Sequence, residues 1–148
     1  MRRSSGVSGA TDASGRSVVR SDHRPCPPIA VRWIVNAIYA AVLAALAVVP
    51  PGPLTIGPSV PDWLAHAVAY GIQAGLLFWA VPATATTRSR ARAGLTGAVA
   101  FGAATEALQL LQPARSTELV DLVANGLGAA ISVVAISLAT NAAARIRR

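Results

Sequence analysis

The sequence predicts an all-α, polytopic membrane protein, with four transmembrane helices in an up-down bundle and both termini cytoplasmic. Three observations point there. Of the 148 residues, 53% are hydrophobic and only 13% charged, and Ala, Val and Leu fall in long unbroken runs rather than alternating with polar residues. Four of these runs reach roughly 19 to 21 residues, enough at a rise of about 1.5 Å per residue to cross a hydrocarbon core of about 30 Å. The basic residues, all of them arginine, gather on alternate connections between the runs.

Residues 1–28 are rich in Ser, Gly, Arg and Pro and nearly lack aromatic and branched apolar side chains. Such a segment cannot bury enough surface to offset its ordering entropy, so a disordered basic cytoplasmic tail is expected, with no role for His23. The first span covers about 29–49 and is stopped by Pro50-Pro51-Gly52-Pro53, which cannot continue a helix. Ala45-Leu46-Ala47 resembles a small-residue cleavage site, so a cleaved signal peptide is the alternative. The long preceding tail and the full spanning length favour a retained helix. A proline-rich loop leads to the second span, about 63–81, which ends at Pro82. A basic loop with Arg88, Arg90 and Arg92 follows, then a third span, about 93–111, before Pro113, and a fourth, about 119–139. Residues 29–140 thus read as one transmembrane domain, and 141–148 as a second basic cytoplasmic tail. The runs do not alternate, which argues against a β-barrel.

The net charge is +7 with no lysine. Nucleic-acid binding would need arginines along one folded face. Here Arg2, Arg3, Arg16, Arg20, Arg24 and Arg32 precede or open the first span, three lie between spans two and three, and Arg145, Arg147 and Arg148 close the chain. With four spans these fall on one side and only Arg115 on the other, so the positive-inside rule puts both termini in the cytoplasm of a plasma-membrane protein. No nucleic-acid partner is expected; the lipid bilayer is. Cys26 is the single cysteine, which leaves no intrachain disulfide and no cysteine metal cluster.

The ionisable residues within and beside the spans all map to the outer side of this topology. They are Asp62 and His66 at the start of the second span, Glu106 near the end of the third, and Arg115, Glu118 and Asp121 around the start of the fourth. Asp62, His66 and Tyr70 are spaced four apart and form one helical stripe, which Gln73 extends inward. Glu106 and Gln109 share a face, as do Asp121 and Asn125. Three helices each present a polar pair at one membrane surface, and these faces should turn inward. A carboxylate inside a span costs about 2.5–3.5 kcal/mol on insertion scales, so Glu106 needs a partner, for which Arg115 and His66 are the available cations.

Plainer roles compete with a site. Asp62 after Pro61 suits a helix N-cap. Asp121 suits the helix dipole in a first turn. Gln73, Gln109 and Asn125 suit inter-helix hydrogen bonds, and Gly71 with Gly75, like Gly126 with Ala130, suit close helix approach. Trp33 and Trp63 suit interface anchors. A Glu106–Arg115 pair could be structural alone. No phosphate-cradling glycine loop and no HExxH occurs, and one histidine with scattered carboxylates is too thin to assign a metal, so neither metal nor cofactor is expected.

The stretch Pro61-Asp62-Trp63-Leu64-Ala65-His66-Ala67-Val68-Ala69-Tyr70 resembles the D-x-x-x-H-x-x-x-Y opening of the VanZ-like membrane proteins. Thr105-Glu106-Ala107-Leu108-Gln109 resembles their T-E-x-x-Q. Arg115-Ser116 through Asp121, Asn125 and Gly128 is similar to their R-S-x-x-x-x-D-x-x-x-N-x-x-G. Order and spacing agree from Asp62 to Gly128, a little under half the chain. The resemblance implies a small membrane protein of four or five spans, in a family named for resistance to teicoplanin-type glycopeptides and without an established molecular activity. It carries over Asp62, His66, Tyr70, Glu106, Gln109, Arg115, Asp121 and Asn125 as motif residues. Many members have lysine directly after the aspartate, where this chain has Trp63, and the long N-terminal tail lies outside the pattern.

The expected function is therefore that of a cell-envelope membrane protein whose outward polar site binds an envelope lipid head group, a peptidoglycan precursor or a glycopeptide. Arg115 would contact an anionic group, with Glu106, Asp121 and His66 orienting it. An intramembrane acid–base enzyme acting on a lipid-linked substrate, with Glu106 as base and His66 as acid, is the first alternative. A structural bundle that assists partners is the second.

Overall fold

The computed structural model describes residues 27–48, 61–109 and 119–147, and among them the protein is all-helical: α1 (Ile29–Val48), α2 (Asp62–Ala80), α3 (Thr87–Gln109) and α4 (Leu119–Ile146). All but the last two residues of the expected tail at 1–28 lie outside the described residues, as do Arg115, Ser116 and Glu118. α1 and α4 are each long and apolar enough to cross a membrane. α2, which carries Asp62, His66 and Gln73, and α3, which opens on Thr87-Arg88-Ser89-Arg90-Ala91-Arg92, do not meet that measure.

Neighbour contacts fix the directions. Tyr39 meets Ala69 and Arg32 meets Trp79, so α1 and α2 are antiparallel. Gly94 lies against Ala74 and Gly102 against Tyr70, so α2 and α3 are antiparallel. Gly71 approaches Gly128 while Gly75 approaches Ser132 and Ile136, so α2 and α4 run parallel. α2 touches all three other helices, whereas α1 packs only on α2 and α3 among the described residues. The starts of α2 and α4 and the end of α3 consequently share one end of the bundle.

Apart from Tyr70 and Phe78, the side chains buried among the described residues are small or polar. Ala74, Ala98, Ala129 and Val133 form the apolar centre, flanked by buried Arg32, Asn36, Gln73, Thr105, Glu106, Gln109, Asp121 and Asn125. Many large apolar side chains point outward: Ile131 is 69% exposed and Leu138 65%. This distribution is the reverse of what a water-facing bundle requires.

Two expected boundaries need correction. Arg88, Arg90 and Arg92 do not form a loop; they lie in the first turns of α3. Thr86 caps that helix by accepting a hydrogen bond from Ser89 N at 3.1 Å, and arginine is a good helix former, so the helix starts six residues before its apolar run. The expected tail at 141–148 is helical through Ile146, because Ala142-Ala143-Ala144 sustains the helix and Arg145 complements the dipole of its last turn.

The arginines at this end also hold the fold. α2 stops at Ala80 before extended Val81 and Pro82, leaving its last carbonyls without partners inside the helix. Arg90 Nε donates to Phe78 O at 3.2 Å with its guanidinium 4.3 Å from the Phe78 ring. Arg32 Nη1 donates to Trp79 O at 3.2 Å, and its guanidinium lies 5.5 Å from the Trp79 ring.

Close approach of α2 and α4 depends on a different glycine from the one expected. A Cβ on Gly128 would stand 1.9 Å from Ala67 O, whereas one on Gly126 would meet nothing within 4 Å. Gly71 does pack as expected, 3.1 Å from Gly128 O by the same construction.

Candidate functional site

Pro61 occupies the N-cap position of α2 and no side chain caps the helix, so Asp62 is its first residue rather than its cap. That leaves the Asp62 carboxylate exposed at the mouth of the bundle and clear of a capping bond. One turn on, His66 points between α3 and α4. Its Nδ1 lies 3.1 Å from Asn125 Oδ1 and 3.7 Å from Glu106 Oε1, and its Nε2 lies 4.0 Å from Asp121 Oδ2. Glu106, Asp121 and Asn125 are all buried. The spacing of four along α2 and α4, combined with their parallel packing, is what sets Asp62 and His66 opposite Asp121 and Asn125.

Tyr70 continues the stripe and is 4% exposed. Its ring stacks under His66, with centroids 6.1 Å apart and planes at 17°. Its hydroxyl bonds the Thr105 hydroxyl, which itself donates to Gly102 O at 2.9 Å. Gly102 makes room here, since a Cβ would lie 3.1 Å from Asn125 Nδ2 and 3.3 Å from the Tyr70 ring. Gln109 is buried one turn beyond Glu106. Beside these groups is a cavity of about 260 Å³ lined by Leu43 and Leu46 of α1, Asp62, His66 and Tyr70 of α2, and Gln109 of α3.

Seven of the eight anticipated residues are thus gathered at one end of the bundle. Arg115 lies outside the described residues. Gln73 belongs to a separate polar contact deeper in the bundle, donating to Asn36 Oδ1 at 3.1 Å. Thr105 and Asn36 were not anticipated as site or contact residues. Thr105 precedes Glu106 in the T-E-x-x-Q stretch, and Asn36 stands four residues after Arg32 on one face of α1, so each carried a signal in the sequence. Trp33 and Trp63 are both about half exposed at opposite ends of the bundle.

Chemically, the described site has three carboxylates around one imidazole, with Tyr70, Thr105, Asn125 and Gln109 as neutral hydrogen-bonding groups. The described arginines are far from it. Arg92 precedes Glu106 by 14 positions on α3, about 21 Å along the helix. These features define a helical bundle with an acidic, histidine-centred polar site at one end. No protein-family model, no curated protein and no solved structure matches the chain.

Proposed function

We propose that this chain is a VanZ-like integral membrane protein of the bacterial cell envelope. It spans the plasma membrane four times with both termini in the cytoplasm, and its outward polar site binds an envelope ligand in a way that contributes to tolerance of teicoplanin-type glycopeptides. The observation that carries this reading is the meeting of Asp62, His66, Tyr70, Glu106, Gln109, Asp121 and Asn125, scattered over three helices, at one end of a bundle with arginines at the other. A polar interior inside an apolar exterior supports residence in lipid, where buried ionisable groups mark function by default. α2 and α3 serve as spans because their polar residues face neighbouring helices or lie at the ends. The ligand is an envelope lipid head group, a peptidoglycan precursor or the glycopeptide itself. Arg115 contacts its anionic group, and the carboxylates orient its hydrogen-bond donors.

The test is drug susceptibility of a sensitive Gram-positive host expressing wild type, Glu106→Gln or Arg115→Ala at matched membrane abundance. Raised tolerance with wild type and its loss in both variants is expected. Unchanged susceptibility despite correct insertion of the wild type rejects the tolerance role. His66, poised between Glu106 and Asp121, favours acid–base chemistry as a second reading. Under it, Glu106→Gln abolishes tolerance while ligand affinity is kept.

A further inference from the structure

Three metal-ligating side chains converge at the mouth of the bundle. One donor atom from each of Asp62, His66 and Asp121 lies within 4.8 Å of the other two. Asn125 Oδ1 at 3.1 Å and Glu106 Oε1 at 3.7 Å both face Nδ1 of His66. Its other ring nitrogen, Nε2, is turned towards Asp121 Oδ2, 4.0 Å away. One imidazole nitrogen and two carboxylates converging on a common point form a donor set suited to a divalent cation. Among the described residues no arginine reaches this end to supply a positive charge.

We propose that Asp62, His66 and Asp121 bind a divalent transition-metal ion of the zinc type. The donor set fits, since imidazole and carboxylate oxygen are ordinary zinc ligands, while imidazole disfavours magnesium and calcium. The surrounding shell fits as well: a metal-bound histidine usually donates its other ring N–H to a carbonyl or carboxylate, and Asn125 Oδ1 stands 3.1 Å from Nδ1 to accept it, with the Glu106 carboxylate close behind. The distances are within reach. A point exists within about 2.8 Å of all three donor atoms, and zinc bonds of about 2.0–2.2 Å ask each side chain to close by about 0.7 Å. Asp62 is exposed and on the first turn of α2, so it has freedom to move. Three protein ligands leave a fourth position, and because Asp62 and His66 also line the 260 Å³ cavity, an outside ligand can take it from there. This proposal shares residues with the site described above but rests on their geometry alone, and holds or fails independently of any role in drug tolerance.

The experiment is a zinc titration of the full chain in lipid nanodiscs, stripped beforehand with a chelator. A His23→Ala/Cys26→Ser background keeps the N-terminal tail from contributing ligands. The expected result is one zinc per chain with micromolar or tighter affinity, manganese weaker and magnesium not competing. Asp121→Asn and His66→Gln should lose stoichiometric zinc. Asn125→Ala, which touches no ligand-bearing atom except through His66, should weaken it by about 10- to 100-fold. Helical circular dichroism and a monodisperse elution profile identify variants that still fold. The proposal is overturned if wild type takes up no stoichiometric zinc, the outcome expected of an imidazolium held between carboxylates. It is equally overturned if folded His66→Gln binds zinc as tightly as wild type. Drug susceptibility, measured separately, reports on the tolerance reading and not on this one.

Discussion

Replacing Gly128 with alanine is the most direct probe of how this bundle holds together. The added Cβ would lie 1.9 Å from Ala67 O, 2.6 Å from its carbonyl carbon and 2.8 Å from its Cα. Carbon–oxygen contacts are comfortable at about 3.3–3.6 Å, so α2 and α4 must part locally by about 1.4 Å. The obstacle is backbone on a helix, which no rotamer change can remove. Overpacking costs about 1–3 kcal/mol, and a rigid obstacle belongs at the upper end. The separation also weakens neighbouring dispersion contacts, since a gap of about 0.5–1 Å forfeits a quarter to a half of each. Alanine recovers about 1 kcal/mol of helix propensity. The net loss is about 2 kcal/mol, roughly a 30-fold fall in the folding constant. Gly126→Ala is the control: it meets nothing within 4 Å, so it keeps the propensity gain and should be neutral or stabilising. Equilibrium unfolding of the purified chain in mixed micelles, followed by circular dichroism, measures both. If Gly128→Ala unfolds at the same point as wild type, or the two variants shift alike, the close approach of α2 and α4 is not what holds them in register.

Other consequences are as concrete. Asn36→Leu removes the acceptor of Gln73 Nε2 inside the bundle, while Gln73 Oε1 has no hydrogen-bond partner among the described residues. It should cost about 1 kcal/mol, and Asn36→Leu/Gln73→Leu should recover most of that; a double variant less stable than the single one contradicts this account. Arg90→Ala uncaps the Phe78 carbonyl, so hydrogen exchange should quicken at the end of α2, around residues 78–81, and stay unchanged at its start. For the proposed topology, a membrane-impermeant maleimide should leave Cys26 unmodified in intact cells and label it after permeabilisation. In a Cys26→Ser background, Ser116→Cys should be labelled without permeabilisation; labelling of Cys26 in intact cells reverses the orientation.

Much of this architecture could be read from the chain because proline punctuates it. Pro61 and Pro82 bracket α2 to within a residue of its expected limits, since proline neither continues a helix nor lets its predecessor do so easily. Charge was the misleading signal. Arg88, Arg90 and Arg92 resemble a loop when spans are sought by apolarity, yet arginine extends a helix readily and its long side chain can reach back to a neighbour's carbonyl. The site was legible as stripes, because i to i+4 spacing places Asp62, His66 and Tyr70 on one face whatever they pack against. Which helix faces which was not legible. His66 meets Asn125 only because α2 and α4 run side by side, and that pairing turns on Gly128 rather than Gly126, two residues whose identical side chains give no hint of the difference. Thr105 escaped notice for a similar reason, since its part in the site exists only once Tyr70 arrives from another helix.

The packing of α2 on α4 and the chemistry at the mouth of the bundle are one construction. His66 meets Asn125 and the next residue, Ala67, meets Gly128, so the tightest backbone contact lies within a turn of the histidine. Helical residues are separated by about 100° of rotation, so slipping α4 by one position would carry Asp121 and Asn125 off the shared face together. A close backbone contact resists such a slip far better than long side chains do, because it has a single matching position. Cluster residues need this precision more than the rest of the interface: a buried carboxylate whose partner is displaced is costly, whereas an alanine displaced by the same distance loses little. Placing the glycine contact immediately beside the ionisable groups therefore puts the stiffest part of the bundle where misplacement is least tolerable. α1, which packs on α2 and α3 among the described residues, contributes Leu43 and Leu46 to the cavity wall and no charged group to the cluster.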